Sequence, residues 1–119
     1  MKKILIVEDD TDIQDIFRLI FSSYGYEVDC VDNGKDVFER IETLPDAIVL
    51  DKQLPGMSGI DVCKKLKTDS KTRHIPVLMI SATSGVESAA KNAGADAFLE
   101  KPFNMHVVLN KVSSLFERQ

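Results

Sequence analysis

Ile4-Leu5-Ile6-Val7 is followed at once by Glu8-Asp9-Asp10, and then by a run in which Ile13, Ile16, Phe17, Ile20, Phe21 and Tyr24 recur. Four apolar residues without alternation suit a strand covered on both faces, because a strand with one wet face would alternate. The spacing that follows is i, i+3, i+4, i+7, i+8 and i+11, one apolar stripe of an amphipathic helix. Thr11 with Gln14 predicts a capping box at its start, and Gly25 a left-handed residue at its end. A buried strand feeding such a helix is half of a strand-helix-strand unit, and it predicts a parallel sheet with helices packed on both faces.

The same alternation recurs along the chain. Ala47 to Leu50, Val77 to Ile80 and the short Ala97 to Leu99 read as buried strands, and the more polar Val28 to Val31 as an edge strand. Asn33 precedes a helix carrying Val37, Phe38 and Ile41, and Ser58 with Asp61 opens one carrying Val62, Cys63 and Leu66. Ser84 with Glu87 opens a short alanine-rich helix ending near Gly94. Asn104 opens the last, with Met105, Val108, Leu109, Val112, Leu115 and Phe116 inward. Asp69 to His74 is polar and reads as a surface loop. The expected fold is α/β, a doubly wound five-stranded parallel sheet with five helices, as a single domain over residues 1–119.

Composition narrows the function. With 119 residues, 44% hydrophobic, the chain can bury enough surface to fold without metal or disulfide staples. A net charge of −4 and no basic stripe interleaved with aromatics argue against direct nucleic-acid binding. Cys30 and Cys63 fit neither a redox nor a zinc spacing and are expected to be buried small hydrophobes. The apolar run after Met1 is too short for a secretory or membrane-spanning segment, so a cytoplasmic protein without membrane association is expected. His74 and His106 read as solvated surface positions.

In open α/β sheets, ligands bind beyond the carboxyl ends of the strands. The residues there are Glu8-Asp9-Asp10, Asp51, Ser81 and Glu100-Lys101-Pro102. Asp10 alone could be a helix cap, Asp51 a turn residue, and Lys101 a partner for any acid. Together at one sheet edge, the carboxylates repel unless a cation compensates. A hard divalent ion held by one or two carboxylates and several waters, such as Mg²⁺, resolves that conflict. Phosphoryl chemistry needs a nucleophilic carboxylate, a metal, a cation and a hydroxyl donor. Asp51, Mg²⁺, Lys101 and Ser81 supply that set.

Ile-Leu-Ile-Val-Glu8-Asp9-Asp10, Ile-Val-Leu-Asp51-Lys-Gln-Leu-Pro55-Gly56-Met-Ser-Gly59, Ile-Ser81-Ala82-Thr83 and Glu-Lys101-Pro102-Phe103 resemble, in order and spacing, the signature blocks of bacterial response-regulator receiver domains. The resemblance covers essentially the whole chain. It implies the flavodoxin-like strand order 2-1-3-4-5. It implies that Asp51 is the phosphoacceptor, Asp9 a direct metal ligand, Glu8 a ligand through water, and Gln53 a ligand through its backbone carbonyl. Mg²⁺ is the implied cofactor, with Mn²⁺ as a substitute. Lys101 and Ser81 would contact the phosphoryl group, and the Lys101-Pro102 bond would be cis. Ser81 and Phe98 would form the switch that alters a face of helix 4, strand 5 and helix 5. The implied partners are a histidine kinase or histidine phosphotransfer protein and a downstream protein or output domain, with the chain monomeric or dimerising on phosphorylation. Such a protein is a signalling switch that catalyses only its own aspartyl phosphorylation and dephosphorylation.

Departures qualify this. Glu8 stands where many members have aspartate, and Phe98 lacks the hydroxyl of a tyrosine. Lys52, Gln53 and Thr83 occupy variable positions that set phosphoryl lifetime. A haloacid-dehalogenase-like phosphohydrolase would want an acid where Gln53 stands, and a flavodoxin-like carrier would not place Glu8-Asp9-Asp10 against a bare phosphate. The stronger rival is a phosphate-independent pseudo-receiver acting by protein contact. Gln119 follows closely on the last helix, which leaves open a stand-alone regulator or a piece of a longer regulator or hybrid kinase.

Overall fold

The computed structural model describes residues 1–117. Five strands alternate with helices: β1 (Lys3–Val7), α1 (Thr11–Ser23), β2 (Glu27–Val31), α2 (Gly34–Arg40), β3 (Ala47–Asp51), α3 (Gly59–Thr68), β4 (Val77–Ser81), α4 (Glu87–Asn92), β5 (Ala97–Glu100) and α5 (Met105–Glu117). A short 3₁₀ turn, Ile41–Thr43, extends α2. The sheet order is β2-β1-β3-β4-β5, and every adjacent pair is parallel.

Alternate residues of the central strands feed two cores, one on each face. Leu5, Val7, Ile48, Leu50, Val77 and Met79 meet Val37, Val62, Cys63, Leu66 and Ala90 on the side of α2, α3 and α4. Ile4, Ile6, Val49, Leu78 and Ile80 meet Phe17, Phe21, Val108 and Val112 on the side of α1 and α5. The two faces together explain why these strands carry no polar alternation.

Three helix readings differ in the structure. The α1 cap is Asp10, whose side chain accepts from the amides of Asp12 and Ile13, so Thr11 is already helical and forms no box with Gln14. The α1 stripe is narrower than its apolar residues suggest: Phe17 and Phe21 are buried, whereas Ile16 is 45% and Tyr24 61% exposed. No side chain caps α4, since Val86 precedes it and makes no such bond, so Ser84 and Glu87 form no box either. Asp69 to His74 is the expected surface loop, exposed except at Thr72, which is buried and donates its hydroxyl to the Leu66 carbonyl at 2.7 Å; Lys67 Nζ donates to the Arg73 and Ile75 carbonyls.

Asn33, Ser58 and Asn104 act as expected, each side chain accepting from an amide three residues on. Gly25 and Gly94 end their helices with φ of +89° and +95°. Cys63 is fully buried with its thiol toward the Ala93 carbonyl, but Cys30 is only half-buried on the edge strand β2. His74 and His106 are exposed. Among the described residues no helix is long and apolar enough to cross a membrane.

Candidate functional site

Asp51 and Ser81 are the final residues of β3 and β4, so the two central strands present them at one edge of the sheet. Glu8 continues β1: its amide donates to the Val31 carbonyl at 3.0 Å, as the sheet register would. Lys101 leaves β5, with its amide donating to the Ser81 carbonyl at 2.8 Å, and the Lys101-Pro102 bond is cis. These four positions are therefore set by backbone pairing rather than by loops.

Their side chains converge. Lys101 Nζ lies 3.0 Å from Asp51 Oδ2 and 3.5 Å from Glu8 Oε1. The other Asp51 oxygen accepts from the Gln53 amide at 3.1 Å, and Glu8 Oε2 accepts from the Asp10 amide at 3.1 Å. Carboxylate oxygens of Glu8, Asp9 and Asp51 all lie within 4.8 Å of one another. Glu8 is 3% and Asp51 7% exposed, while Asp9 lies at the surface. A cleft of about 300 Å³ lined by Glu8, Asp9, Asp51, Ala82 and Lys101 opens over them. Ser81 is fully buried, and its Oγ accepts from the Thr83 amide at 3.0 Å.

Electrostatics follow from this crowding. Burial, reinforced by the negative charge of Asp51, pushes the Glu8 carboxyl up to about 7 against the pull of the Asp10 amide and Lys101. Burial opposes the charge of Lys101, but its bonds to Asp51 and its attraction to both acids outweigh that and raise its pKa. Of the three clustered carboxylates, only Glu8 and Asp51 pair with Lys101, the one lysine there. A hard divalent cation with oxygen ligands fits that surplus, and the clustered, partly buried oxygens fit it in number and type.

An unfolded glutamate ionises near 4.5, the folded Glu8 near 7, so between these values the unfolded state releases a proton that the folded state keeps. Glu8 therefore stabilises the metal-free protein fully below pH 4.5 and loses that contribution as pH rises through 7. In EDTA at pH 8, Glu8→Gln should melt higher than wild type by on the order of 5 °C. The difference should vanish near pH 4.5 when melting is followed by circular dichroism.

The β4-β5 register pairs Met79 with Phe98 and Ser81 with Glu100, so Phe98 lies on the same sheet face as Ser81, two pairs below it. Phe98 is half-buried beside α4, in a cavity of about 370 Å³ that Glu87, Lys91 and Lys111 also line. Two contacts were not visible in the sequence. The Gln14 side-chain amide donates to the Glu8 carbonyl, and Phe103 stacks on Phe17 with ring centroids 6.4 Å apart. Gln14 carries no signal beyond helix propensity, whereas Phe103 could have been flagged as an apolar residue in a short, otherwise polar connection.

A doubly wound sheet thus brings clustered carboxylates, a lysine and a buried hydroxyl together at its carboxyl edge. The chain belongs to the response regulator receiver domain family, whose model matches residues 4–113. A relative described as the DNA-binding dual master transcriptional regulator RpaA of Synechocystis is 36% identical over 99% of this chain and 50% of that protein. Among solved structures, the receiver domain of a signal transduction histidine kinase from Syntrophus aciditrophicus has a TM-score of 0.89 at 31% identity, covering 98% of this chain and 91% of that one. The response regulator TrrA from Thermotoga maritima, in complex with Mg²⁺-BeF, has a TM-score of 0.86 at 29% identity, covering 97% and 99%. The chain spans about half the length of the curated relatives it matches. Phosphorylation-dependent switching is the general function of this family.

Proposed function

We propose that Asp51 accepts a phosphoryl group from a histidine kinase or histidine phosphotransfer protein, in a Mg²⁺-dependent reaction. The observation that carries this reading is the convergence of Asp51, Glu8 and Asp9 around Lys101 at the carboxyl edge of the sheet. A carboxylate oxygen of Asp51 attacks phosphorus, a new O–P bond forms, and the P–N bond to the donor imidazole breaks as that nitrogen takes up a proton. Asp9 and Asp51 would hold the metal directly, Glu8 through water and Gln53 through its carbonyl; when bound, Mg²⁺, or Mn²⁺ in its place, offsets the charge of the phosphoryl oxygens.

Lys101 needs little movement, because its ammonium already lies 3.0 Å from the acceptor oxygen. The Ser81 hydroxyl, which now donates to the Thr83 carbonyl at 3.4 Å, turns to donate to a phosphoryl oxygen, and Phe98, on the same face, follows by moving inward. The α4-β5-α5 face thereby changes affinity for a downstream protein or output domain, by an amount set only by the differential contacts of the phosphoryl group with the two states. In this reading residues 1–119 act as one cytoplasmic receiver domain, monomeric or dimerising on phosphorylation. Its net charge of −4 supports signalling through protein contacts and not through direct nucleic-acid binding.

Beryllofluoride tests the reading because it imitates an aspartyl phosphate only where an acceptor carboxylate and a divalent ion coincide. With Mg²⁺ and beryllofluoride the wild-type melting temperature should rise by on the order of 10 °C, and Asp51→Asn should show no beryllofluoride-dependent rise. An unmoved wild type would favour the phosphate-independent pseudo-receiver.

A further inference from the structure

We propose that Gln14 is a positioning residue for the metal-binding loop, fixing the direction of the Asp9 carboxylate from outside the site. The inference rests on the metal reading above. Asp9 is the exposed member of the acidic cluster, and its side chain makes no hydrogen bond or ion pair within the described residues. Glu8 and Asp51 are held by partners, but Asp9 is aimed only by its backbone.

That backbone is bracketed by a single turn of α1. The Gln14 amide N–H donates to the Asp10 carbonyl at 3.0 Å, and its side-chain Nε2 donates to the Glu8 carbonyl. The Glu8 carbonyl belongs to the peptide unit that enters Asp9. A donor fixed on that oxygen sets the plane of the peptide, and so the direction in which Asp9 projects its side chain.

Gln14 is itself well fixed. It is half-buried, and Phe17 one turn later is fully packed and stacked on Phe103, next to the loop that carries Lys101. A solvated helix glutamine would sample many rotamers; this one is tied to a carbonyl on a rigid element, which is how outer groups orient metal ligands. Without the donor, the Glu8 carbonyl turns to water and the Glu8-Asp9 peptide is free to rotate. The cost falls on metal affinity more than on the core.

The test is calorimetric titration of Mg²⁺ into metal-free protein at pH 8, together with amide NMR of residues 8–10 before metal is added. Gln14→Met keeps the length and removes the donor. It should weaken Mg²⁺ about tenfold, the lower end of the usual effect of such outer contacts, and broaden the Asp9 and Asp10 amides. Gln14→Ala, which keeps helix propensity, should do the same.

Thr72→Val is the control. It removes a buried hydrogen bond far along the chain and should lower the melting temperature while leaving both readouts at wild-type values. Wild-type affinity and sharp amides in both Gln14 variants would overturn the inference. If the wild type bound no Mg²⁺, the metal reading would fail, and the amide signals alone would decide whether Gln14 orders the loop.

Discussion

Gly59→Ala should destabilise the protein by about 3 kcal/mol, near the upper end for overpacking, and should disturb the site at the same time. A Cβ at Gly59 would sit 2.3 Å from the Asp51 carbonyl oxygen and 2.6 Å from Lys52 Cα. Both are backbone atoms, so no side chain can swing away. The Gly59 amide also donates to the Lys52 carbonyl at 2.7 Å, which ties the first turn of α3 to the end of β3. Relief requires α3 to back away from the strand end that carries Asp51. Gly25→Ala is the comparison: nothing lies within 4 Å of its Cβ and only its positive φ is strained, so about 1 kcal/mol is expected. Urea unfolding of the two variants separates them. Equal losses would show that α3 does not bear on the Asp51 backbone.

Lys101→Met should have two effects of opposite sign. In EDTA at pH 8, it leaves Glu8 and Asp51 side by side, nearly buried, without the cation that lies 3.5 and 3.0 Å from them. Removing one partner of a buried ion pair costs about 3 to 5 kcal/mol; because the Lys101 side chain is 26% exposed, water takes up part of the loss and about 2 kcal/mol is expected. Mg²⁺ should bind the variant several-fold more tightly, since it no longer competes with an ammonium for the same oxygens. Saturating Mg²⁺ should therefore recover much of the lost stability. A lysine that only packed against the loop would lower stability and leave metal affinity unchanged. Urea unfolding with and without Mg²⁺, beside calorimetric titration, distinguishes the two.

The sequence made the fold legible because its strands are short, doubly buried and unalternating. Ile4 to Val7, Ala47 to Leu50 and Val77 to Ile80 admit little else when amphipathic helices lie between them. The strand order came from family resemblance, because hydrophobic pattern says which elements form but not which are neighbours. The convergence of Asp51, Ser81, Glu8 and Lys101 could be anticipated because each directly follows or ends a strand, where register leaves little freedom.

What escaped the pattern was decided by tertiary competition. Asp10 outcompeted Thr11 for the α1 amides because the chain leaves β1 in an extended conformation that makes Asp10 the cap. That freed Gln14 to reach Glu8. Tyr24 continues the apolar spacing but is the residue that caps α1, past its last turn, and Ile16 stays 45% exposed. Thr72 looks like a loop residue and is buried because a carbonyl near the end of α3, that of Leu66, takes its hydroxyl.

Uptake of a phosphoryl group by Asp51 with the help of a divalent ion is the proposed reaction. Its most direct test is intact-mass spectrometry, with peptide mapping, after incubation with acetyl phosphate. With Mg²⁺ the wild type should gain about 80 Da, localised to the peptide containing Asp51, with no gain in EDTA or in Asp51→Asn. No adduct on the wild type at early times, or an equal adduct on Asp51→Asn, would contradict it.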